Sequence, residues 1–215
     1  MNENQMTINK VNKMKNSKNQ NLTDTDIRSF NTDFEVRSLE ENNETMIRGY
    51  ALKFNRPSED LGFIEYLQRD CLNDTDMSDV VALLNHNENY VLARAGHNMT
   101  LSVDDTGLMF EFKPTNTSYS RDLVENMKEG LISKCSFAFT IPKGGDTWRK
   151  RSDGMYERTV TKIDKLYDVS IVTRPAYSDT EAMLSTRSLN SLENVQSDNS
   201  DERERLIIQS EVELL

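Results

Sequence analysis

The chain has 215 residues, 36% hydrophobic and 29% charged, with a formal net charge of −10. That length holds one domain of about 150 residues with a real core once weakly apolar ends are set aside. The acidic balance argues against a general nucleic-acid binder, and no apolar run approaches the roughly 20 residues that cross a bilayer.

Charge is distributed unevenly. Residues 1–23 carry four lysines and one glutamate, whereas residues 176–215 carry nine acids and three arginines. The start lacks the apolar stretch of a secretory signal. Cys71 and Cys135 form no CxxC pattern and no disulfide framework, which fits a reducing compartment. Three segments follow. Residues 1–26 are a tail too polar to fold, 27–184 are the folded domain, and 185–215 are an acidic tail. Leu206, Ile207, Val212, Leu214 and Leu215 in that last tail suit a short helix docked on a partner.

Within the domain, the apolar periods mostly read as strands. Phe34, Val36 and Leu39 precede a second run, Met46 to Phe54, and the pair reads as a hairpin. Phe63 to Leu67 is a third strand, and the polar Cys71 to Ser78 stretch suits a short helix. Val80 to Leu84 is continuously apolar, hence buried, and ends at Asn85-His86-Asn87. Tyr90 to Arg94, Thr100 to Val103 and Leu108 to Phe112 follow, with Asp104-Asp105-Thr106-Gly107 as a turn using Asp and Gly for left-handed geometry. One helix interrupts the strands. Thr117 or Ser118 caps it, Leu123, Met127 and Leu131 share a face, and Gly130 suits its C′ position. Phe137 to Ile141 is the next strand, Trp148 to Ile163 a hairpin, and Leu166 to Thr173 the last core strand. Many short strands with few helices predict an α+β fold, mostly an antiparallel β-barrel with a few attached helices.

Three residues carry chemistry. Ser136 heads the apolar Phe137 to Ile141 run, His86 closes the buried Val80 to Leu84 run, and Asp168 lies inside Leu166 to Val172. Serine, histidine and carboxylate are the parts of a nucleophilic hydrolase. Neutral imidazole can take a hydroxyl proton near pH 7, and a buried carboxylate needs a partner such as an imidazolium or an arginine. Alternatives remain at each position. Cys135 is a rival nucleophile that reads better as a small buried hydrophobe. Asp164, two strand periods from Asp168, is a second candidate acid. His97 in Gly96-His97-Asn98 reads as a turn residue, with a Ser-His-His arrangement as the minority option. Asp74, Asp76 and Asp79 lack the glycine and terminal glutamate of a calcium loop, so no metal site is expected.

Four motifs then occur in order: Leu83-Leu84-Asn85-His86-Asn87, Thr117-Ser118-Tyr119-Ser120-Arg121-Asp122-Leu123, Ser133-Lys134-Cys135-Ser136-Phe137-Ala138-Phe139, and Asp168 to Tyr177. Together, over about residues 29–183, they resemble the prohead maturation proteases of tailed phages, serine peptidases whose fold is similar to herpesvirus assemblin. The resemblance implies His86 as base, Ser136 as nucleophile and Asp168 as the third catalytic residue. The family usually has smaller residues before the serine than Ile132, Lys134 and Cys135, and more often glutamate as the acid. It further implies an endopeptidase that needs no cofactor, acting in the host cytoplasm inside the assembling procapsid. Its substrates would be the scaffold, the N-terminal segment of the major capsid protein and the protease itself, with self-association an option and no nucleic acid or membrane as partner. The tails would then be autocleaved or docking segments. The rival readings are a non-catalytic scaffold of the same fold, which would tolerate loss of Ser136, and an esterase-like hydrolase, whose G-x-S-x-G elbow is missing.

Overall fold

A computed structural model describes residues 25–32, 34–39 and 44–174. The expected acidic C-terminal helix and nearly all of both tails lie outside these residues. Twelve strands and one α-helix are present among the described residues. β1 (Asp26–Asn31), β9 (Lys134–Thr140), β12 (Lys165–Val172), β5 (Val81–Leu84) and β6 (Asn87–Arg94) form one sheet, in that spatial order. β2 (Glu35–Leu39), β3 (Glu44–Lys53), β8 (Gly107–Phe112) and β7 (Met99–Val103) form a second. β10 (Asp146–Lys150), β11 (Tyr156–Val160) and β4 (Phe63–Leu67) form a third.

Among the described residues the expected closed barrel is not found: the strands form three sheets, and two of their pairings, β4 with β11 and β5 with β12, are parallel. Sequence-distant parallel partners leave no local signal, because the pattern of one strand does not name its neighbour. Among the described residues the few helices expected reduce to α1 (Ser118–Lys128) and one 3₁₀ turn at Arg69–Leu72. No helix among the described residues is long and apolar enough to cross a membrane.

One apolar core joins the sheets. Ile47, Phe110 and Phe112 of the second sheet meet Phe137, Phe139 and Val169 of the first and Leu67 and Val160 of the third, with Leu123 and Met127 of α1 closing the cluster. α1 begins as expected, with Thr117 Oγ1 accepting from the Ser120 N–H at 3.3 Å. It ends in a Schellman turn, where Gly130 (φ +71°) and Leu131 donate back to the Met127 and Asn126 carbonyls. That turn removes Leu131 from the buried face expected for it and leaves it 71% exposed.

Glycine at 107 serves a different purpose from the one expected. Its φ is not positive, but a Cβ there would collide with the Leu52 carbonyl oxygen, so it permits close approach of β8 to β3. The turn is instead closed by Asp104 Oδ1, which accepts from the Thr106 and Gly107 N–H groups.

β1 starts at Asp26, within the span read as tail, and it is the edge strand beside β9. Its two buried residues, Asp26 and Arg28, are charged, while Phe30 further along the same face packs on the core. Arg28 Nε and Nη2 donate to the two oxygens of Glu65 at 2.7 and 2.9 Å, and Nη2 also reaches Asp26 at 3.0 Å. Arg158 donates to Glu65 at 3.0 Å and to Asp146 at 2.8 Å. Burial opposes the charge on Arg158, but the carboxylates of Asp26 and Glu65 outweigh it and hold its pKa above the ordinary value. This cluster ties β1 of the first sheet to β4, β10 and β11 of the third.

Candidate active site

The site is built where β5, β9 and β12 lie side by side. β5 and β6 are joined by the two-residue turn Asn85-His86, with φ of +56° and +54°. Such a turn needs left-handed geometry at both central positions, which Asn and His adopt more readily than most residues. Asn85 fastens it to β12. Its N–H donates to the Ile171 carbonyl at 3.0 Å, and its Oδ1 accepts from the Thr173 N–H at 2.9 Å. The His86 N–H donates to Ser170 Oγ at 3.2 Å. The turn therefore folds His86 over β12 and toward β9.

On β9, Cys135, Phe137 and Phe139 face the core, so alternation sends Ser136 to the opposite face. Ser136 stands directly across from Ser170 on β12 and from Ser29 on β1. His86 Nε2 lies 2.6 Å from Ser136 Oγ, and His86 Nδ1 lies 2.8 Å from Asp168 Oδ1. Residues separated by 50 and 82 positions thus form one continuous chain of contacts. Ser136 is buried, and the His86 and Asp168 side chains are 20% and 13% exposed. In this desolvated setting the His86–Asp168 contact is stronger than it would be in water.

The geometry also sorts the alternatives. Asp164 precedes β12 and is exposed; its backbone N–H donates to Thr140. An irregularity at Tyr167, between Leu166 and Asp168, breaks the alternation that had placed both acids on one face. His97 is exposed in the β6–β7 turn, after Gly96 with φ +76°. Cys135 is fully buried against the core; burial, with the nearby Asp168 charge, pushes its thiol well above the usual range. Burial likewise pushes Cys71 up to about 12. Neither sulfur supplies a thiolate near neutral pH. Native protein should accordingly show no fast reaction with a thiol-specific disulfide reagent, and two equivalents on unfolding; a rapid native equivalent would place a thiol at the surface.

Ser170 received no role from the sequence, although Asp168-Val169-Ser170 puts it on the face of Asp168. Its hydroxyl lies 2.7 Å from Asp168 Oδ1 and 3.2 Å from His86 Nδ1. β1, also missed, brings Ser29 alongside Ser136.

A family model described as caudovirus prohead serine protease matches residues 32–195. Among solved structures, the capsid assembly protease gp21 of bacteriophage T4 is similar with a TM-score of 0.46 and 12% identity, over 69% of this chain and 96% of that one. No curated protein matches the chain. The family match takes in β2 through β12 together with the Ser136, His86 and Asp168 cluster, and so the chain belongs to the caudovirus prohead serine proteases.

Proposed function

We propose that the protein is the serine endopeptidase that matures a phage procapsid from inside the assembling shell in the host cytoplasm. It cuts the scaffold, the N-terminal segment of the major capsid protein and itself. The observation that carries this reading is the continuous contact from Ser136 through His86 to Asp168, at 2.6 and 2.8 Å, in a chain of a prohead protease family.

In this mechanism Asp168 accepts from His86 Nδ1–H and fixes the tautomer that leaves Nε2 free to accept. His86 Nε2 takes the Ser136 proton as Oγ attacks the peptide carbonyl, and Asp168 steadies the resulting imidazolium. His86 returns the proton to the leaving amine. A water, deprotonated by His86 in turn, then releases the acyl group from Ser136. Backbone N–H groups bear the oxyanion. Because Ser136 is buried, the scissile carbonyl reaches it only through a local opening. Residues 1–25 and 185–215 serve as removable or docking segments outside the catalytic domain, which takes in Asp26 of β1 and runs to 184.

The direct test is mass spectrometry of the protease co-expressed with its capsid protein, with and without Ser136→Ala. A non-catalytic assembly role predicts identical processing in both. Asp168→Asn should keep the site's shape but lose tautomer control, lowering the cleavage rate by roughly 10²- to 10⁴-fold, less than loss of Ser136 or His86. His97→Ala should cleave at the parent rate. Full activity in Asp168→Asn with a dead His97→Ala would transfer the third role to His97.

A further inference from the structure

We infer that Ser170 is a positioning residue that sets both the acid and the base of the site; this rests on reading Ser136 as the nucleophile. Ser170 is fully buried and lies opposite Ser136 across β12 and β9. Its one hydroxyl hydrogen points to Asp168 Oδ1 at 2.7 Å. Its oxygen accepts the His86 backbone N–H at 3.2 Å and lies 3.2 Å from His86 Nδ1.

Hydrogen accounting makes this arrangement directional. A backbone N–H can only donate, so Ser170 Oγ is the acceptor for the His86 turn. An ionised carboxylate can only accept, so the Ser170 O–H goes to Asp168. Asp168 Oδ1 then receives two donors, Ser170 O–H and His86 Nδ1–H at 2.8 Å. Two donors on one oxygen restrict the rotation of the carboxylate. One serine thereby holds the backbone that presents the imidazole, the carboxylate that orients it, and the spacing between them. It acts through those two groups, without touching the scissile bond.

Asn85 and Thr173 hold the turn independently at 2.9 Å, so removing Ser170 leaves the hairpin attached to β12. What is lost is alignment. In Ser170→Ala the His86 N–H and Asp168 Oδ1 each lose a partner in a part-buried setting, and the ring is free to turn away from Ser136. An effect of this kind lowers kcat and spares KM, since substrate binding is untouched.

The test uses the full-length protein and a peptide spanning the cleavage site mapped in its capsid protein. Ser136→Ala serves as the reference for the underlying reading. Ser170→Ala is expected to lower kcat at least tenfold with KM within twofold. The downfield Nδ1–H proton resonance of His86, assigned against His86→Ala, should move or broaden. A kcat for Ser170→Ala within twofold of the parent, alongside an inactive Ser136→Ala, overturns the inference while leaving the serine mechanism in place. So does a fall in activity matched by loss of folded protein with the His86 resonance unchanged. Parent-level activity in Ser136→Ala overturns the serine reading itself and this inference with it.

Discussion

Replacing Ser136 or His86 by alanine is expected to lower the rate of capsid-protein cleavage by about 10⁴-fold or more while the domain stays folded. The size follows from the roles proposed for them, which no neighbour can fill: Ser136 Oγ would make the bond and the His86 ring would move the proton, and groups acting as a unit fail together. Cys135 cannot substitute, since it faces the core and burial pushes its thiol up. Structure should survive both changes. Ser136→Ala removes one oxygen from β9, and the His86 turn keeps the Asn85 N–H bond to the Ile171 carbonyl and the Thr173 N–H bond to Asn85 Oδ1. The measurement is the fraction of full-length capsid protein after co-expression, with circular dichroism of each purified variant beside the parent. Parent-level processing by Ser136→Ala would remove the serine mechanism altogether.

The second large effect concerns stability. Glu65→Ala should cost about 3–5 kcal/mol, because it strips the shared carboxylate from two buried arginines rather than breaking an exposed pair. Glu65 is 3% exposed, and Arg28 and Arg158 are each 5% exposed, so neither cation can turn to water instead. At this domain size the loss corresponds to a fall of roughly 10 °C in Tm. The contrast is Arg149→Ala. Arg149 also pairs with a glutamate, Glu157, at 2.7 Å, but its side chain is 72% exposed, so removal should change stability by less than about 1 kcal/mol. Thermal unfolding of both variants checks the pair of values. Equal, small shifts would mean that the cluster joining the first and third sheets contributes no more than a surface contact does.

The two substitutions fall on opposite sides of what sequence alone can read. Ser136, His86 and Asp168 were legible as candidates because each stands at or within an apolar run that no structural need for a polar group explains. They are neighbours in the fold. The capped helix and most strands were legible from period and turn chemistry. β1 was not, because Asp26 and Arg28 occupy inward positions where the pattern expects apolar residues; their partners, Glu65 and Arg158, lie far along the chain. Asp164 and Leu131 misled through counting. A strand irregularity shifted the alternation in one case, and the helix ended at Lys128, three residues before Leu131, in the other. The division into three sheets escaped because parallel pairing is decided by partners, not by the strand itself.

β12 is both the last described strand and the middle of the five-stranded sheet, with β9 on one side and β5 on the other. It carries Asp168 and Ser170, which hold the His86 turn. During synthesis, therefore, the ribosome delivers His86 and Ser136 well before the strand that orders them. β5 and β9 have no mutual pairing to hold them together in the meantime. Sequence-distant pairings of this sort close late. A nascent or truncated chain ending before Lys165 lacks Asp168, the acid of the proposed mechanism, and the strand between Ser136 and His86, so under that mechanism translation order itself delays the appearance of a complete site.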